Sequence, residues 1–161
     1  MRYIKQRDKY ACGPIAIMNV LKWAGAKITY NSHFKHIKKI SNCGISGTDY
    51  DGIVKVVKSY KKLFDVLECH FIYISDIDYY IKNRGSIILE YYYKDLESFD
   101  GYSGHYVFIS GKLGKHYLVV NNYREGKALQ ICSRRKLKTM IKSKITFGRD
   151  ARAIILFKKE K

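Results

Sequence analysis

The sequence predicts an α+β domain, a helical layer of N-terminal segments packed on a C-terminal antiparallel sheet. Three observations lead there. Apolar residues recur at helical spacing through Ile53, Val56, Val57 and Tyr60, and the period then shortens to the alternation of strands. Turn formers such as Gly85, Gly111, Gly114 and Gly126 cut the second part into short runs rich in β-branched and aromatic residues. Helical patterns come first and strand patterns follow, so alternating βαβ units are not expected. At 161 residues, with 47% apolar and 14% aromatic content, the chain suits one domain, 1–161, with a sizeable core.

Residues 1–5 read as a short strand or extended arm. Gly13-Pro14 then opens an unbroken apolar run to Trp23, and Gly25 closes it. Pro suits a first helical turn and Gly the position past a helix end, so 13–24 is a helix, buried and central. Asn31 or Ser32 can cap a second helix over 32–41. Thr48 followed by Asp51 resembles a capping box for a third, reaching about Lys61. Residues 63–73 read as a strand, and Ser75 or Asp76 starts a short helix ended by Asn83-Arg84-Gly85. Strands follow at 86–93, 105–110, 115–121 and 127–132. A loop is expected at 94–103, a hairpin turn at 111–114 and another turn at 123–126. Ser133 can cap a basic helix to about Ile141, and 152–158 is the last strand before a solvated tail.

The formal charge of +17 implies attraction to something acidic: an acidic peptide or protein substrate, nucleic acid or an anionic membrane surface. The cations are spread from end to end, which favours a solvated basic surface over a dedicated nucleic-acid patch. No apolar stretch approaches the roughly 18 residues that span a bilayer, and residues 1–6 lack a signal-peptide core. A soluble, cytoplasmic protein is the expectation. Cys12, Cys43, Cys69 and Cys132 form neither a Cys-x-x-Cys pair nor a zinc spacing, so reduced thiols and no cofactor or metal are expected.

Cys12 stands at the start of the first helix. A lone cysteine there suits a small buried hydrophobe. The unpaired N–H groups and positive dipole end would equally favour a thiolate, as a nucleophile needs. Such a nucleophile requires a base and a group that orients the base. Of five histidines, His33 and His36 fall among lysines, His70 lies in a strand beside Cys69, and His116 sits past a turn. His105 begins an apolar strand whose hairpin partner ends in Asn121-Asn122. Antiparallel pairing returns that end beside His105, so Asn121 or Asn122 can orient the imidazole. Gln6 can donate to an oxyanion together with the backbone N–H of Cys12.

Gln6, Asp8, Cys12-Gly13, Met18, Gly47-Thr48, Gly104-His105-Tyr106-Val107 and Asn121 together resemble the C39 peptidases. These are papain-like cysteine peptidases that trim leader peptides after a Gly-Gly pair. The resemblance covers nearly the whole chain. It implies the papain-like fold, with Cys12, His105, Asn121 and Gln6 in catalytic roles and Asn122 as the alternative orienting residue. Ala11 stands where the family usually has an acid, and Asn121-Asn122 where it has Asp-Pro. The implied activity is peptide hydrolysis. The alternatives are other thiol acyl chemistry, as in a deamidase, transglutaminase-like enzyme or acyltransferase, or a non-catalytic basic module binding nucleic acid.

Overall fold

Helical segments precede the sheet, but helices cover both of its faces. The computed structural model describes residues 2–94, 102–121, 127–146 and 152–159. Helices α1 (Cys12–Trp23), α2 (Tyr30–Ile40) and α3 (Tyr50–Ser59) come first. Then follow β1 (Phe64–Cys69), α4 (Ile74–Lys82), β2 (Gly85–Lys94), β3 (Tyr102–Leu113), β4 (His116–Asn121), β5 (Leu129–Cys132), α5 (Arg134–Thr146) and β6 (Ala153–Lys158). The strands form one six-stranded sheet in the order β1-β6-β2-β3-β4-β5, and every neighbouring pair is antiparallel.

The sheet divides the core in two. On one face α1 and α3 bury Ile15, Met18, Leu21, Ile53 and Val57 against Ile88, Tyr106, Phe108, Ile154 and Leu156. On the other, Ile77 of α4 and Leu137 and Ile141 of α5 meet Ile87, Leu89, Val107, Ile109 and Ile155. Successive strand residues point to opposite faces, so a run such as Ile87-Ile88-Leu89 must be covered on both sides. That continuous run is why α4 and α5 form a second helical layer.

Helix α1 is buried from Cys12 through Leu21. Its one buried amide has a task. The Ile4 N–H donates to Asn19 Oδ1 at 2.7 Å, and Asn19 Nδ2 donates to Ile4 O at 3.1 Å. Asn19 thus supplies the hydrogen bonds that a neighbouring strand would give, and the first residues run as an arm along α1.

Several boundaries differ from expectation. The cap of α2 is Thr29, whose Oγ1 accepts from Ser32 N at 3.3 Å. The cap of α3 is Asp49, which accepts from Gly52 N at 2.6 Å, while Thr48 turns inward and is buried. Several adjacent residues could cap each start; packing of the following face decides which one does. Ser133 does cap α5, accepting from Lys136 N at 3.2 Å, and the helix runs on to Thr146. Strand β3 begins at Tyr102, opposite Lys94, so His105 lies inside the ladder rather than at its first residue. The same strand passes a bulge between Ile109 and Gly111 and ends at Leu113. Its turn therefore tightens around Gly114, whose φ of +56° suits glycine. The expected turn at 123–126 and most of the loop at 94–103 lie outside the described residues.

Asp78 of α4 ties the second layer together. It accepts from Lys112 Nζ at 2.9 Å, from the Tyr117 hydroxyl at 2.7 Å, and from Arg134 Nη1 of α5. Partial burial pushes its carboxyl up, but the bonds from Tyr117, Lys112 and Arg134 outweigh it and hold the pKa at about 2. A carboxyl pKa below its unfolded value adds stability above that value, and the gain disappears as pH falls through the folded pKa. Solvent screens this half-exposed network, so its expected worth is about 1 kcal/mol. Asp78→Asn should lower the melting temperature at pH 7, and the gap to the parent protein should close between about pH 4 and pH 2. Thermal melts across that range check it; a gap independent of pH would mean that charge is not the source.

Candidate active site

Cys12 is the first residue of α1, and its preceding residue Ala11 offers no side-chain cap. The chain reaches it through a braced turn. Tyr10 N donates to Asp8 Oδ1 at 3.1 Å, and Ala11 N to Asp8 O at 3.2 Å. Lys38 of α2 grips the other Asp8 oxygen at 2.7 Å. That bond, with the Tyr10 N–H, holds the Asp8 carboxyl below its ordinary pKa. Gln6, itself buried, donates from Nε2 to Asp8 O at 2.6 Å and to Lys9 O at 2.9 Å. Both amide hydrogens therefore face the turn, and Oε1 is buried without a partner among the described residues. In this state Gln6 shapes the approach to Cys12. Gly13 lets the helix start come close to Thr48, the residue before the α3 cap: a Cβ there would stand 2.8 Å from Thr48 Cβ.

The Cys12 side chain is 7% exposed. Its sulfur is hydrogen-bonded by the backbone N–H of Tyr106, so it touches the peptide that joins His105 to Tyr106. Burial pushes the thiol pKa up to about 11, outweighing the hydrogen bonds from Tyr106, Gly13 and its own N–H. This corrects the expectation of a helix-stabilised thiolate. A helix terminus is worth up to ~2 kcal/mol, and removing an anion from water costs more.

Beside the sulfur opens a cavity of about 550 Å³. Cys12 and Tyr106 line it together with the loop that precedes α3, and Tyr92, Glu90 and Arg152 form the sheet-side wall. The loop is a tight turn in which Gly44 and Gly47 exchange backbone bonds at 3.0 and 3.2 Å, leaving Ile45 85% exposed. The wall is a charged network that the sequence reading missed. Arg152 Nε donates to Glu90 at 3.3 Å, and the Tyr106 hydroxyl also bonds this buried carboxylate. The Arg152 guanidinium lies 4.4 Å from the Tyr50 ring centroid. A lone acid inside the apolar run of β2 was the available signal, since buried acids are rare unless paired.

His105 is buried one position before Tyr106. Its ring meets Tyr91 edge-on, with centroids 5.5 Å apart at 83°. Tyr91 is its ladder partner and belongs to the core on the α4–α5 face. Strand alternation sends Gly104, Tyr106 and Phe108 toward α1, and His105 with Val107 and Ile109 the other way. The fold thus brings the His105 backbone to the thiol and packs the imidazole on Tyr91. Asn121 pairs with Val107, two ladder positions from His105. The Asn121 side chain and all of Asn122 lie outside the described residues. His36, His70 and His116 are exposed, and His33 bonds the Thr29 backbone at the start of α2.

No family model matches the chain, and no curated protein does. Solved structures do. The peptidase domain of Streptococcus ComA, a bi-functional ABC transporter involved in a quorum sensing pathway, superposes with a TM-score of 0.67 at 18% identity, over 98% of both chains. A C39-like peptidase from Bacillus anthracis gives 0.64 at 12% identity, over 99% of this chain and 95% of its own. A double glycine motif protease from an AMS/PCAT transporter, solved with its leader peptide, gives 0.61 at 13%, over 99% and 91%. The chain therefore has the fold of C39 peptidase domains. Among the described residues no helix is long and apolar enough to cross a membrane.

Proposed function

We propose that this protein is a cysteine peptidase with Cys12 as nucleophile and His105 as base. The observation that carries the reading is the position of the Cys12 sulfur. It sits at the start of a buried helix, on the peptide between His105 and Tyr106, at the edge of a cavity, in a fold shared with C39 peptidase domains. Because one such neighbour is a double glycine motif protease bound to a leader peptide, cleavage after small residues is the substrate reading.

The resting thiol is neutral, so attack begins with transfer of its proton to the imidazole. Sulfur then bonds the scissile carbonyl carbon, and the carbonyl electron pair moves to oxygen. The Cys12 N–H and Gln6 steady that oxyanion. The C–N bond breaks, the imidazolium returns the proton to the leaving amine, and water hydrolyses the thioester. Asn121 or Asn122 orients the ring. One rearrangement belongs to this mechanism: Gln6, whose amide bonds Asp8 O and Lys9 O, must release one backbone carbonyl. Apo sites commonly tighten in this way when substrate binds.

Incubation with a Gly-Gly-containing peptide should release two fragments whose masses sum to the peptide plus one water. A shift of about one dalton on an intact chain would mean deamidation, and a crosslinked species would mean transamidation; either excludes the peptidase. The raised thiol pKa favours one other reading, a non-catalytic binding domain on the same fold. Unaltered peptide masses after prolonged incubation would select it.

A further inference from the structure

A second, larger groove of about 1120 Å³ runs along the N-terminal arm beside α1. Its cations are Arg2, Lys5, Arg7, Lys22 and Lys127, and no acid lines it. None of the five is held in an ion pair among the described residues, whereas Lys38, Lys58, Lys112, Arg134, Arg152 and Lys159 all are. Five like charges without an ion-pair partner among the described residues repel each other around one concave surface. Such a surface focuses potential outward and is relieved by an anionic occupant.

Gln6, which braces the turn leading into Cys12, and Lys22, in the last turn of α1, both line the groove.

The aromatic residues decide between a peptide and a nucleic acid. Single-stranded nucleic acid needs ring faces on which bases can stack. Tyr30 has no open face: Phe34 stacks on one side at 4.5 Å and 14°, and the Arg7 guanidinium covers the ring at 4.4 Å. Tyr3 is engaged edge-on with Phe108 at 6.2 Å. Cations without stacking platforms suit carboxylates on a flexible chain.

We propose that this groove binds an acidic peptide segment of the substrate. Calling that peptide a substrate rests on the peptidase reading; binding itself does not.

The test uses fluorescein-labelled deca-glutamate, read by fluorescence anisotropy against the intact protein. Arg2, Lys5 and Lys127 are exposed, so their combined change to Gln leaves the core untouched. That triple variant should weaken binding about tenfold, from three rim charges. A matched triple variant, Lys55→Gln, Lys61→Gln and Lys62→Gln, removes three exposed charges elsewhere and should change affinity less than about twofold. Equal losses in both variants would show diffuse attraction by net charge and overturn the groove. A labelled deca-thymidylate that binds more tightly, and is lost in the groove variant alone, would reassign the groove to nucleic acid. Because the readout needs no thiol chemistry, failure of the peptidase reading and failure of the groove show up separately.

Discussion

Replacing Cys12 with alanine should lower turnover of a Gly-Gly peptide by about 10⁴-fold or more while the protein stays folded. The nucleophile forms the bond to the acyl carbon, and the Tyr106 hydroxyl is a poor substitute, held well above the ordinary phenol pKa by burial and by Glu90. Loss of one buried sulfur leaves a small void, worth about 1 kcal/mol. A thermal melt should therefore fall by only a few degrees. The measurement is kcat and kcat/KM beside the melt. Persistent cleavage in Cys12→Ala would remove this thiol from the chemistry and leave the cavity as a binding site.

The second large effect concerns the imidazole. His105→Ala should cost about 10³-fold or more in kcat, since the base must take the proton from a thiol that is neutral at rest. The same variant should leave resting reactivity of Cys12 toward iodoacetamide nearly unchanged. Burial sets that reactivity, so alkylation should be slow at pH 7 and climb tenfold per pH unit toward about 11. The pH dependence of stability has a matching sign. A thiol pKa raised above its unfolded value of 9.0 adds stability that is complete below pH 9 and is lost as pH rises to about 11. A plateau of fast alkylation already present at pH 7, and abolished in His105→Ala, would reveal a resting thiolate–imidazolium pair. It would overturn the neutral resting thiol.

What could be read in advance was local. Gly13-Pro14 and the apolar run after it mark α1 because ring geometry and burial act on adjacent residues. The Ser133 cap likewise depends on one oxygen and an N–H three residues on. The caps of α2 and α3 fell to Thr29 and Asp49 because their segments hold several good capping residues, and tertiary contacts chose among them. Residues 123–126 and Asn122 lie outside the described part of the chain, so those expectations carry over unchanged as proposals.

Chain order, element type and the placement of a thiol at a helix start were already set by the amino-acid sequence, since each depends on neighbours within a few positions. The tertiary structure decided three things. It put the imidazole of His105 in edge contact with Tyr91, because starting β3 at Tyr102 and pairing it with β2 fixes parity, and parity alone chooses a side. It pushed the thiol pKa up to about 11, because the depth of its burial is supplied by distant segments and outweighs the nearby dipole. It built the Glu90–Arg152 wall from residues 62 positions apart, which no local pattern could have joined.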